Sequence, residues 1–208
     1  MSGGTRMSLI QTLQTLRAVR APGDVVVSAM GAAREWMALG AHPLDWVFVP
    51  SSMGQATSLG LGIALAQPGR RVIVLNGDGG MLMNLGSLVT ITARAPGNLI
   101  VLLLDNGVYE ITGAQPTPAA GAGRTGADSI DFTALARAGG FRSVFHFRSN
   151  ASWADHIESV LAARGPTFAA LDVAPIPGAP GPRSPGPAPA RARRFMQALQ
   201  DSPPSPRP

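Results

Sequence analysis

Residues 71–115 read RVIVLNGDGGMLMNLGSLVTITARAPGNLIVLLLDNGVYEITGAQ, and their order decides the fold. Val72 to Leu75 and Leu99 to Leu104 are short, continuous apolar runs, the pattern of strands buried on both faces of a parallel sheet. Each run ends in polar residues among glycines, Asn76-Gly77-Asp78-Gly79-Gly80 after the first and Asp105-Asn106-Gly107 after the second. Between them, Met81 to Arg94 carries Leu82, Leu85, Leu88, Val89 and Thr92 at helical spacing. The order is strand, Gly-Asp-Gly turn, helix, strand, Asn turn. A right-handed crossover brings both turns to one carboxyl edge of the sheet. Asp78 and the Asn106 amide are then expected to converge on one hard cation. The N–H groups of Gly79, Gly80 and Met81, opening the helix, are expected to face a bound phosphate.

Working outward, the same alternation continues. Ser8 to Arg20 is a helix pattern, with Leu9, Leu13, Leu16 and Val19 on one face. Val25 to Val27 and Trp46 to Val49 read as strands, separated by a helix from Ala32 to Leu39. A small-residue helix, Gln55 to Ala66, follows, its Gly60, Gly62 and Ala56 allowing close approach to the sheet or to a partner helix. Beyond the central stretch, Pro116 to Asp128 reads as a mobile loop beside the site. Phe132 to Ala138 with an Asp131 cap, and a helix from Asn150 or Ser152 to Arg164, flank the strands Ser143 to Phe147 and Thr167 to Val173. Six strands alternating with helices predict a doubly wound α/β domain with a mostly parallel six-stranded sheet over residues 1–175. Residues 176–208, rich in Pro and Arg, are expected to be a disordered, solvated tail with at most a short helix at Ala190 to Gln200.

Composition bounds the function. The 208 residues are 45% hydrophobic with mean hydropathy +0.16, enough for a sizeable core in one domain. Without cysteine, neither a disulfide nor a Cys metal site is possible. No signal-like or membrane-length apolar run is present, so no membrane partner is expected and a cytoplasmic location follows by default. The net charge of +5 invites a nucleic-acid reading, but its distribution argues against one. Up to Pro175 there are twelve Arg against eleven acids, and the excess lies in the tail with no aromatic interleaving.

Gly77-Asp78-Gly79, then twenty-six residues, then Asn106, resembles the thiamine-diphosphate motif of 2-oxo-acid decarboxylases and their relatives. The resemblance implies that Asp78, the Asn106 side chain and the Val108 carbonyl hold Mg²⁺ against the cofactor diphosphate. Asp105 stands where the family often has a first Asn, ahead of the ligand position. Ser51-Ser52-Met53-Gly54 aligns with the turn that meets the aminopyrimidine. Met53 would be the apolar wedge that bends the cofactor, and Ser51 would offer its carbonyl to the exocyclic amine. The loop holding Gly31 would touch the diphosphate end, and Tyr109 would flank the cofactor. Arg34 and Glu35 read as a solvated pair, with substrate contact as the other reading. Ser52 to Leu65, Gly77 to Ser87, Leu104 to Thr117 and Asp131 to Gly140 are most similar to sulfopyruvate and phosphonopyruvate decarboxylases.

In that family a glutamate on a separate pyrimidine-binding domain activates the cofactor. Glu35, Glu110 and Glu158 are the only glutamates here, and none matches that position. The resemblance therefore implies half of an active site, completed by a pyrimidine-domain (alpha) subunit in a heterodimer or higher heteromer. The substrate would be a small 2-oxo acid, whose ketone the cofactor attacks and whose CO₂ is released. Glu110, Thr112 and Gln115 would line the entrance, and Arg124 is a candidate for an anionic substrate group. His42, His146 and His156 form no zinc or triad spacing. An acetolactate-synthase-like subunit and a non-catalytic cofactor-binding scaffold are the alternatives. A dinucleotide fold is weaker, because no Gly-x-Gly-x-x-Gly opens a helix here.

Overall fold

The computed structural model describes residues 6–49, 53–120 and 129–205. In chain order it runs α1 (Leu9–Val19), β1 (Val25–Ala29), α2 (Met30–Ala38), β2 (Asp45–Phe48), α3 (Ala56–Ala66), β3 (Val72–Gly77), α4 (Asp78–Leu82) and α5 (Gly86–Arg94). Then follow β4 (Leu99–Asp105), a hairpin of β5 (Val108–Tyr109) and β6 (Gln115–Pro116), α6 (Phe132–Ala138), β7 (Ser143–Phe147), α7 (Asn150–Ala162), β8 (Thr167–Asp172) and α8 (Ala188–Asp201). The main sheet has the order β2-β1-β3-β4-β8-β7, and every pair in it is parallel. The doubly wound fold expected from the sequence is present.

The apolar runs divide by parity, as a strand's two-residue period requires. Val72, Val74, Leu99, Val101 and Leu103 pack with α3, α5 and α6 on one face, through residues such as Leu61, Ile91 and Phe132. Ile73, Leu75, Ile100, Leu102 and Leu104 pack with α1, α2 and α7 on the other, through Leu13, Trp36 and Trp153. Gly60 does allow the close approach: a Cβ there would lie 2.2 Å from Val74 Cγ2. The chain leaves β1 toward β2 and returns to β3 on the opposite side. The strand order therefore reverses between β1 and β3, where a doubly wound sheet opens its crevice. No helix among the described residues is long and apolar enough to cross a membrane.

Three local expectations change. The helix expected over Met81 to Arg94 is two helices, broken at residues 83–85. Asn84 causes the break: its side chain donates to the Gly54 carbonyl at 3.0 Å, while its carbonyl accepts the Ser87 N–H and hydroxyl. That side-chain and turn bonding competes with helical pairing. The segment expected to be a mobile loop begins as structure. Thr117 is fully buried, and its N–H donates to the Gly107 carbonyl at 2.9 Å; residues 121–128, with Arg124, lie outside the described residues.

The tail is the third change. Residues 176–205 fold back along the domain and end in a fourteen-residue helix, α8, instead of a disordered appendage. Phe195 meets Trp46 edge-on at 5.4 Å, and the Arg191 guanidinium lies 5.2 Å over the same indole. Arg191 also donates to the carbonyls of Val47 and Val49 at the sheet's edge, which blunts strand β2. The Arg70 guanidinium takes the carbonyls of Leu199, Ser202 and Pro203 at the end of α8. Composition alone missed this because the anchors are cations meeting backbone carbonyls, with only a small apolar contact.

Asp131 caps α6, accepting the N–H groups of Thr133 and Ala134 and the Thr133 hydroxyl. Those bonds, the hydroxyl first, hold its carboxyl below the ordinary 3.8. Asp131→Ala is expected to lower stability by about 1 kcal/mol at neutral pH. A depressed carboxylate stabilises the fold above its ordinary value and loses that effect as pH falls through the lowered one. Thermal melts of both proteins should therefore converge in acid; a difference that grows in acid would overturn the capping account.

Candidate functional site

The carboxyl ends of β1, β3 and β4 enclose a cavity of about 320 Å³ at the reversal point. Its walls include Ala29, Met30 and Gly31 after β1, Met53 and Gly54 ahead of α3, and Asn76 to Gly80 after β3. Asn106, Val108, Tyr109, Glu110, Ile111 and Thr112 close it from the β4 side. Nine expected site residues thus share one wall system: Gly31, Met53, Gly77, Asp78, Gly79, Gly80, Asn106, Val108 and Tyr109. Ser51 and Ser52 lie outside the described residues. Gln115 is exposed on β6 and does not line the cavity.

Asp78 is the electrostatic centre. It is 1% exposed, and its Oδ2 accepts the Thr117 hydroxyl at 2.9 Å. Its carboxylate also accepts the backbone N–H groups of Asn106 and Gly79. None of the ion pairs among the described residues involves Asp78. Burial, and then the neighbouring Asp105 charge, push its carboxyl up to about 6. Burial likewise raises Asp105, one strand over. A divalent cation in the cavity would reverse that logic by favouring the ionised form.

The Asn106 Oδ1 accepts the Val108 N–H at 3.0 Å, an Asx turn that bends the chain away from β4. Opposite Val108 in the β5–β6 ladder stands Pro116, which has no N–H for the Val108 carbonyl. One carboxylate, one amide oxygen and one backbone carbonyl make a hard-oxygen donor set. Two further features fit a bound group. The Asn76 Nδ2 is buried with no hydrogen-bond partner, and a Cβ at Gly77 would meet nothing within 4 Å. The glycines leave little slack elsewhere. A Cβ at Gly79 would fall 2.6 Å from the Tyr109 ring, and one at Gly80 would fall 2.7 Å from Asn76 Oδ1.

Arg34 and Glu35 do pair, at 2.5 Å, but not as a solvated surface pair. Arg34 also reaches Glu110 at 2.9 Å, and all three side chains are mostly buried. His42 lies away from the cavity, its Nδ1 accepting the Leu44 N–H. His146 pairs with Asp172 at 2.7 Å, and His156 accompanies its own helix backbone. Asn76, Met83 and Thr117 are wall or supporting residues that sequence reasoning did not single out. Asn76 was signalled by its place at the strand end. Thr117 was not, since only the β5–β6 hairpin carries it to Asp78.

The family described as thiamine pyrophosphate enzyme, C-terminal TPP binding domain, matches residues 24–171. Phosphonopyruvate decarboxylase of Streptomyces viridochromogenes is 38% identical over 203 residues, which span 96% of this chain and 48% of that protein. Sulfopyruvate decarboxylase subunit beta of Methanothermobacter thermautotrophicus is 43% identical over 153 residues, 73% of this chain and 75% of that one. The chain thus spans about half the length of the first relative and most of the second. Among solved structures, a thiamine diphosphate-dependent 4-hydroxybenzoylformate decarboxylase of Rhodococcus jostii superposes with TM-score 0.66 at 20% identity, over 84% of this chain and 34% of that one. The last likeness supports the fold, and the first three carry the family. With its glycine-rich turn, Asp78 and Asn106 at one sheet edge, the chain belongs to the thiamine pyrophosphate enzymes and carries their C-terminal TPP-binding domain.

Proposed function

We propose that this chain is the thiamine-diphosphate- and Mg²⁺-binding subunit of a 2-oxo-acid decarboxylase, acting on a sulfopyruvate- or phosphonopyruvate-like substrate together with a pyrimidine-domain subunit. The observation that carries the reading is the buried Asp78 carboxylate, in no ion pair among the described residues, beside the Asn106 amide on the wall of a cavity at the switch point. Asp78, Asn106 and the Val108 carbonyl hold the metal ion. Gly77 to Gly80 let the diphosphate approach the backbone. Met53 and Met83, both about half exposed, provide an apolar wall for the cofactor's middle. When bound, thiamine diphosphate supplies the carbanion that adds to the substrate ketone and the ring that takes up the electrons released with CO₂.

The partner requirement rests on what the wall lacks. Glu110 is the one glutamate lining the cavity, and its carboxylate is already engaged by Arg34 and Asn106. Glu35 pairs with Arg34, and Glu158 is exposed on α7. No glutamate among the described residues is left to activate the pyrimidine. Three sulfopyruvate decarboxylase relatives are named as beta subunits, and the phosphonopyruvate decarboxylase relative is about twice as long.

The test is to assay CO₂ release from sulfopyruvate, phosphonopyruvate and pyruvate, with thiamine diphosphate and Mg²⁺. The chain alone is expected to show no turnover above background. Adding a chain that carries the pyrimidine domain is expected to restore it, with the preferred substrate among the first two. Full turnover by the isolated chain would overturn the half-site reading.

A further inference from the structure

We propose that Glu110 positions the Asn106 side chain as a cation ligand. The inference rests on the cofactor reading above and concerns a residue outside the donor set. Asn106 Nδ2 donates to Glu110 Oε2 at 3.0 Å. A carboxylate only accepts, so the amide atom facing it must be the NH₂ group. Oδ1 is thereby turned to the opposite side, onto the Val108 N–H and the metal turn. With Glu110 absent, nothing on that side distinguishes the two amide orientations. The flipped one would present N–H donors to the cation.

Glu110 is itself held from two directions besides Asn106. Its Oε1 accepts Arg34 of α2 at 2.9 Å, and its Oε2 accepts the Ile176 N–H at 3.1 Å, from the segment after β8. Its side chain is 7% exposed. Arg34 is in turn fixed by Glu35 at 2.5 Å and by the Pro180 carbonyl at 2.8 Å. The 3₁₀ turn Glu110–Thr112 begins directly after β5, so one short stretch, Val108 to Glu110, carries both the candidate carbonyl ligand and the carboxylate that orients the amide. Gly31 belongs to the same arrangement, since a Cβ there would stand 3.3 Å from Glu110 Oε1. A supporting carboxylate of this kind fixes the ligand's orientation and strengthens its oxygen as a donor. Losing such a partner weakens metal binding about 10–100-fold.

The test replaces Glu110 and Arg34 together, so that Arg34 is not left facing an uncharged Glu110 substitute; both variants leave Glu35 alike without Arg34, so the comparison between them isolates the acceptor at position 110. Glu110→Gln with Arg34→Met keeps an acceptor for Asn106; Glu110→Met with Arg34→Met has similar volume and none. Mn²⁺ binding to the full chain in the presence of thiamine diphosphate is followed by electron paramagnetic resonance, beside thermal melts. The Met/Met variant is expected to bind Mn²⁺ about 10–100-fold more weakly than wild type. The Gln/Met variant should recover most of that affinity. Equal Mn²⁺ affinities for the two variants, whatever their melting temperatures, would overturn the proposal and leave Glu110 a purely structural group. Absence of Mn²⁺ binding by the wild-type chain would instead overturn the cofactor reading, and the proposal with it.

Discussion

Asp78→Asn is expected to abolish Mg²⁺-dependent thiamine diphosphate binding and, in the same protein, to raise the melting temperature of the ligand-free domain. The two effects share one cause. A carboxylate buried to 1% exposure, opposed by Asp105 and in no ion pair among the described residues, is tolerated only with its affinity for protons raised from the ordinary 3.8 to about 6. That difference corresponds to about 3 kcal/mol of destabilisation at neutral pH. Asn removes the charge and keeps an acceptor for the Thr117 hydroxyl, but leaves one backbone N–H facing an amide instead of a carboxylate oxygen. The net gain is about 1–2 kcal/mol, or roughly 3–6 °C. The sign with pH is defined. With a raised folded value, wild-type stability falls as pH rises from about 4 to about 6 and then levels off. The advantage of Asn should therefore be absent near pH 4 and full above pH 6. Calorimetric titration and melts across that range check both halves. Wild-type-like cofactor binding by the variant would sink the metal assignment. A lower melting temperature would sink the account of a site strained by its own charge.

Arg70→Ala is expected to free the C-terminal segment and destabilise the protein by about 3–4 kcal/mol, roughly 10 °C in melting temperature. Arg70 is 5% exposed, and its guanidinium serves the Gly23 carbonyl together with Leu199, Ser202 and Pro203 at the end of α8. Removing it leaves the last carbonyls of a helix without their cation, where positive charge is most favourable. The contact surface has no room to re-pack. A Cβ at Gly23 would already lie 2.6 Å from the backbone at Pro204 and Ser205. Hydrogen exchange localises the effect: protection over residues 188–201 should collapse while that of β3 and β4 persists. Unchanged protection of α8 in the variant would show that Arg191 and Phe195 alone hold it.

The alternation of apolar runs with helical patterns, and the Asp78 and Asn106 turns, were legible because each is written within about thirty residues. Strand period, glycine turns and Asx chemistry are local properties, and the right-handed crossover rule converts them into a shared edge. The sequence by itself therefore determined the doubly wound sheet, its buried central strands and the pairing of Asp78 with Asn106. Tertiary structure decided the rest. Thr117 reaches Asp78 only through the β5–β6 hairpin, and Glu110 meets Arg34 and Ile176 across elements 66 to 76 residues apart. The tail's fate was set by Arg70 and Arg191, which seize backbone carbonyls 129 to 144 residues away. Every residue, whatever its identity, carries a backbone carbonyl, so such an anchor leaves no pattern in the chain. Only the folded backbone determines which carbonyls an arginine can reach.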